Sequence, residues 1–380
     1  VYFSRVLKRA KKFQVFMIKN PAASIRFARP TKESFRAILT KRVRAYFEEN
    51  DKSNKANAVM VIKTIGMLAL YFVPYALLYT LGTNALAVIG LYIVMGFGMS
   101  GIGMSVMHDA IHGAYSKSRR LNKILGSTIY LISGNAATWR IQHNVLHHTF
   151  TNIEGLDEDM ESSGLLRLHP SQPHKRMYKY QKWYAPFVYG LLTLNWVVAK
   201  DFKQLVKYYR AGHAGNGEVT IRKEWTTLVI TKTIYFALFI VLPLIFVPTS
   251  WYWVLLGFAS MHFVAGIVLS YVFQLAHMVE NIKTLDRPES GLVEDEWMEH
   301  QLATTANFAR KNWLVNWFVG GLNFQVEHHL FPNICHIHYP QIAEIVRKTA
   351  LEFGLPYQEY KHMRQALAAH NRHLDVMGLG

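Results

Sequence analysis

Cysteine is all but absent. Cys335 stands alone among 380 residues, which excludes an intrachain disulfide and a thiolate metal cluster and leaves a structural thiol as its expected role. Acidic residues are scarce as well, 25 against 42 Lys and Arg, for a formal charge of +17. Charge of either sign is nearly missing from four stretches, Val59 to Leu81, Asn84 to Met107, Trp225 to Pro248 and Trp251 to Gln274, where Lys63 and Lys232 are the only exceptions. Each stretch is long enough to cross a bilayer core, which takes about 20 apolar residues. A signal peptide is not expected: Val1 to Ile18 alternates basic and apolar residues without an apolar core or a small-residue cleavage site, and reads as a basic amphipathic surface helix. No internal repeat of fixed short period is present.

The four stretches form two tight pairs, joined by the uncharged connectors Gly82-Thr83 and Thr249-Ser250. They read as two transmembrane hairpins of an all-α integral membrane protein. Lys and Arg collect instead in the N-terminal arm, the central segment and the C-terminal tail, so the positive-inside rule puts all three on the cytoplasmic side. The positive charge is then topology plus attraction to anionic lipid, and nucleic acid is not an expected partner. Lys63 and Lys232, near span ends, are expected to snorkel. The organisation is a basic arm (1–56), a central unit (57–335) with a cytoplasmic segment at 108–224, and a helical tail (336–380) with helices around Tyr339 to Phe353 and Tyr357 to His370. Within the cytoplasmic segment, Ile124 to Ile132 and Trp183 to Ala199 suit interfacial or re-entrant helices, and Arg210 to Gly217 suits a mobile loop. Gly96 to Gly101 matches G-x-G-x-x-G, but it lies inside a span with no preceding strand, so helix packing through small residues explains it better than a dinucleotide site.

Histidine supplies the chemistry. His108 and His112 stand at i,i+4 where the second span ends, and His143 and His147 repeat that spacing with His148 beside them, turned about 100° away on a regular α-helix. Gln325, His328 and His329 stand at i,i+3 and i,i+4, a turn that presents three donors to one pocket. All three clusters fall just cytoplasmic of predicted spans, so the fold can gather them. Seven imidazoles exceed the needs of one ion, and two metals are expected; imidazole suits iron, copper and zinc alike.

The stretches HDAIH, WRIQHNVLHHTFTN and NFQVEHHLFPNICHIHYPQ resemble the three histidine boxes of membrane fatty-acid desaturases, closest to the bacterial front-end branch. The resemblance runs from about Thr31 to Tyr357. It implies a four-span helical fold with a cytoplasmic cap, two non-haem iron ions, dioxygen as co-substrate and an acyl-lipid or acyl-CoA substrate. Carried over by motif, His108, His112, His143, His147, His148, His328 and His329 are ligands, with Gln325 at the first position of the third box. Relatives add a histidine at the end of the fourth span, which is His277 here, with His300 as its competitor. Their Asn four residues earlier is replaced by Phe273, next to Gln274.

Around the boxes, Asp157 is the carboxylate expected to fix a ligand imidazole, and the rest of Glu154 to Glu161 reads as a solvated acidic loop. His336 and His338 are candidates to orient ligands. Trp139, Tyr130, Phe150 and Trp313 are candidates to line an acyl tunnel. No Rossmann unit and no His-Pro-Gly-Gly haem motif is found, so electrons are expected from a separate ferredoxin or cytochrome b5. The related alternative is a di-iron hydroxylase or ketolase. The alternative of another class is a zinc transporter or a histidine-bearing receptor, which would need polar residues along the spans, where few are seen.

Overall fold

The computed structural model describes residues 25–161, 164–213 and 218–379. The proposed surface helix at Val1 to Ile18 lies outside these residues, as does the second half of the Arg210 to Gly217 loop. Among the described residues, four helices are long and apolar enough to cross a membrane: Ala58–Leu81, Ala85–Ile111, Ile221–Phe246 and Trp251–His277. The first two start on asparagine caps, Asn57 accepting from Val59 N and Met60 N, and Asn84 from Ala87 N. The second span is central, and its glycines let neighbouring backbones approach. A Cβ on Gly98 would lie 2.6 Å from Tyr71 N in the first span, and one on Gly96 would lie 2.7 Å from Met261 O in the fourth. The formal G-x-G-x-x-G run is therefore a packing seam.

The third span is interrupted by a π turn at Ala237–Val241. Carbonyls displaced from regular pairing inside a bilayer need partners from protein. Tyr75 Oη donates to Leu238 O at 2.5 Å and Tyr92 Oη to Phe239 O at 3.5 Å.

One expectation about the spans is corrected. Lys63 and Lys232 do not snorkel; they are 3% and 5% exposed. Lys232 Nζ pairs with Asp201 Oδ2 at 2.8 Å and donates to the carbonyls of Trp196 and Ser133, while Lys63 Nζ lies 2.8 Å from His336 Nε2. An ammonium withdrawn from water must find such partners. Among the few polar groups of the spans, His262, buried in the fourth, bonds Tyr235 Oη at 2.8 Å and Thr193 Oγ1 at 3.0 Å, a structural role.

The cap closes over the ends of the spans opposite the two tight turns. Helix Phe35–Glu49 buries Phe35, Leu39, Val43 and Phe47, spaced by four, against Ile342 and Val346 of helix Tyr339–Glu352. Phe324, Val326 and Leu330 share that core, so arm and tail together clamp the short helix Gln325–Leu330. Trp183 and Phe187 on helix Gln181–Gly190 stay exposed, as an interfacial helix requires. Among the described residues the regular structure is helical apart from two short parallel strand pairs: β1 (Arg26–Ala28) with β2 (Leu292–Glu296), and β3 (Ala306–Phe308) with β4 (Gln358–Tyr360). β4 falls where a helix was expected from Tyr357. The last helix instead runs Met363–Leu379, because 358–360 take their backbone partners from β3.

Candidate metal centre

The boxes sit on two kinds of helical turn, the first and third on α-helix and the second on a π stretch. The second span widens into a π turn at Ile102–Met107 and then delivers His108 and, one turn on, His112. Helix Ala136–Trp139, capped by Asn135, continues as a second π stretch, Arg140–His147. This corrects the expected orientation of His148. Hydrogen bonding from i to i+5 brings residues five apart onto one face, and His148 Nε2 comes within 3.2 Å of His143 Nε2. Gln325, His328 and His329 do lie on a regular helical turn.

The boxes converge in two sets. Ligand atoms of His108, His112, His143 and His328 lie within 4.8 Å of one another, as do those of His147, His277 and His329. His148 stands between the sets, its ring 4.6 Å from that of His328 and stacked on His329 at 4.4 Å. His277 joins the second set. His300 does not, its Nε2 being taken by Thr151 O at 2.8 Å. Nε2 of His112, His147, His277, His328 and His329 is buried with no hydrogen-bond partner among the described residues, and so are both amide atoms of Gln325. Lone pairs crowded together and left unpaired cost free energy unless a cation takes them, so the donor set fits metal ions.

The opposite edges of these rings are tied down. His147 Nδ1 meets both oxygens of Asp157 at 3.1 Å, His329 Nδ1 donates to Gln301 Oε1 at 2.8 Å, His277 Nδ1 to Thr304 O at 3.1 Å, and His328 Nδ1 to Tyr339 Oη at 3.2 Å. Such partners fix tautomer and ring plane. Burial first, and then neighbouring imidazoles, hold His112, His143, His148, His328 and His329 well below the usual imidazole range, which keeps their lone pairs free. Burial also opposes charge on His147, but the carboxylates of Asp157 and Asp159 push it up to about 9, making it a strong donor.

The acidic loop is therefore not simply solvated. Asp159 Oδ2 lies 3.4 Å from His143 Nδ1, its Oδ1 accepts from Gln142 Nε2 at 2.5 Å, and Glu158 pairs with Lys207 at 2.8 Å. The loop folds inward because desolvated imidazole N–H groups and Lys207 offer its carboxylates partners. Gln301, Thr304 and Tyr339 escape motif reasoning, as does Asn307. The Asn307 side chain accepts from Val326 N and donates to Glu327 Oε2, both at 2.9 Å, pinning the start of the Gln325 helix.

Phe273 packs 5.9 Å from the His143 ring, while Gln274 lines a cavity of about 10 Å³ with His147, Asp157 and His277, room for one water molecule. Of the tunnel candidates, Trp139 lies at the site, 4.4 Å from the His143 ring; Trp313 is on the surface, 76% exposed. His336 contacts Asp109, whereas His338 contacts Lys55 O and no box residue.

A sequence model described as "Fatty acid desaturase" matches residues 82–361. The chain belongs to the fatty acid desaturase family. Among its relatives, an sn-1 linoleoyl-lipid 6-desaturase of Arthrospira platensis is 37% identical over 91% of this chain and 93% of its own length. One of the same name from Synechocystis sp. is 36% identical over 91% and 96%. An acyl-lipid (8-3)-desaturase of Physcomitrium patens is 33% identical over 94% and 74%. This desaturase is thus a membrane oxidoreductase acting on fatty acyl chains, which removes the transporter and receptor alternatives.

Proposed function

We propose that the desaturase introduces a cis double bond on the carboxyl side of an existing one, in the manner of a Δ6 front-end enzyme, in an acyl chain carried by a glycerolipid. The relatives named above support both the position and the carrier. The ligand set is His108, His112, His143 and His328 at one position and His147, His277 and His329 at the other, with His148 between them and Gln325 adjoining. The observation that carries this reading is the convergence of buried, unpaired imidazole nitrogens into two groups. Two non-haem iron ions held there would supply reduction of dioxygen to water, taking two electrons from outside and two from a CH2–CH2 pair that becomes CH=CH.

The chain's own task is placement, since neighbouring methylenes differ little in reactivity. Trp139 screens one edge of the first set from water and offers the acyl chain an apolar wall. Asp157, Gln301, Thr304 and Tyr339 keep the imidazoles facing inward. Separate ferredoxin or cytochrome b5 would bring electrons to the cap, which the distribution of Lys and Arg favours on the cytoplasmic side of a bacterial membrane, together with both termini. The arm (1–56), the desaturase unit (57–335) and the tail (336–380) serve this one site.

Expression in a host of known lipid composition, followed by mass-spectrometric location of the new double bond, tests the proposal. A Δ6 bond in glycerolipid-bound linoleoyl chains is expected. A hydroxylated product would replace desaturation with hydroxylation, and a bond on the methyl side of existing ones would overturn the front-end assignment.

A further inference from the structure

Asp109 is next to His108 in sequence but is held from the far end of the chain. Its Oδ2 accepts from His336 N at 3.2 Å and from His336 Nδ1 at 2.9 Å, and on the other edge of that ring Lys63 Nζ lies 2.8 Å from Nε2. The protons of this row have one consistent arrangement. An ammonium has only donors, so Nε2 accepts, and Nδ1 keeps the ring proton and gives it to the carboxylate. Lys63 and His336 are each 3% exposed, Asp109 2% and His108 1%.

Asp109, Cys335 and His336 are close enough together to suggest a third cation site. The nitrogen that faces Asp109, His336 Nδ1, already carries the proton given to the carboxylate, and the Lys63 ammonium stands at the other edge of the ring, so the group is better read as a row of fixed charge. Its other end is informative. Asp109 Oδ1 lies 3.9 Å from His108 Nδ1, and that nitrogen has no hydrogen-bond partner among the described residues. In the second set, His147 has its own carboxylate in Asp157. Asp109 is the counterpart for His108, acting by its field across 3.9 Å. A buried carboxylate there needs a compensating cation, which Lys63 supplies through the ring between them.

We propose that Lys63 and His336 are positioning residues of the metal centre, holding the Asp109 carboxylate against His108 and so setting the orientation and donor strength of that imidazole. The inference rests on the reading of the histidines as metal ligands. The purified full chain in detergent, titrated with cobalt(II) against a competing chelator, separates the two. Wild type is expected to take up two equivalents with the absorption bands of nitrogen-bound cobalt. Lys63→Met and His336→Gln are expected to bind one equivalent at least about tenfold more weakly with its bands shifted, leaving the other unchanged. Lys63→Arg, which keeps a donor-only cation, is expected to restore both. Should Lys63→Met not fold, His336→Gln carries the test. A wild type that takes up no cobalt overturns the ligand reading and this inference with it. Two equivalents in wild type with variants that bind identically, or that weaken both equivalents in step with a lower melting temperature, overturn this inference alone.

Discussion

Between the two sets of imidazoles stands His148, 3.2 Å from His143 Nε2 and stacked on His329, so losing it disturbs both. His148→Ala and His329→Ala are each expected to lower activity by at least about a hundredfold and to reduce bound metal, with membrane insertion intact; product analysis beside metal content checks this. Gln301→Leu removes the acceptor that His329 Nδ1 shares with Thr151 Oγ1. It should weaken metal binding by about ten- to a hundredfold while keeping measurable activity, and a variant with wild-type affinity would deny Gln301 that role. Gln325, buried with its amide unpaired, separates this site from an all-histidine one. Gln325→His is expected to change turnover or double-bond position, read by mass spectrometry of the products. The histidines were legible because their spacing and position at span ends carry chemical meaning. Their partners were not. Gln301 meets His329 across 28 residues, and the acceptor for His277 is a backbone carbonyl, a group every residue possesses.

At the scale of elements, the four spans could be read from hydropathy, but the π turns that aim two of the boxes could not. An apolar stretch looks alike whether its bonds run i+4 or i+5, and only the five-residue approach of His143 to His148 reveals the difference. The strand pairs were hidden for a related reason, since strands of three to five residues leave too little alternation to read. Lys232 is the element-scale device that reading underestimated. It ties the third span to the carbonyls of Ser133 and Trp196 and to Asp201, which also accepts from Thr138 Oγ1 at 3.0 Å next to the second box. Lys232→Met leaves Asp201 buried without its cation and is expected to cost about 3–5 kcal/mol of stability, seen as a lower melting temperature in detergent. Replacing both partners, Lys232→Met with Asp201→Leu, should recover most of that loss. A single variant as stable as wild type would show that the pair does not fasten span to cap.

Across the whole molecule, both ends of the described chain pack against elements that carry the candidate metal centre. The helix Phe35–Glu49 shares a core with the Gln325 helix, and the last helix, Met363–Leu379, packs beside the end of the fourth span. That second contact is made by neutral histidines. His370 Nδ1 donates to Met278 O at 2.6 Å while its Nε2 meets Tyr189 Oη at 2.8 Å, and His373 Nε2 bonds Leu168 O at 3.1 Å. Burial holds His370 down at about 4, against an ordinary value of 6.5, and lowers His373 as well. A group whose folded-state pKa is depressed stabilises the fold fully above its unfolded value. That contribution is lost as pH falls from about 6.5 through 4, and for His370 it amounts to about 3 kcal/mol. Acidification from pH 7.5 to 5 is therefore expected to loosen the last helix before the spans. Hydrogen exchange over 363–379, corrected for the intrinsic pH dependence of the rate, should report less protection at pH 5, with a smaller change in His370→Gln. Equal protection at the two pH values would mean that the tail is held by its apolar face alone, with Leu374 and Ala369 in the core sufficient to keep it closed.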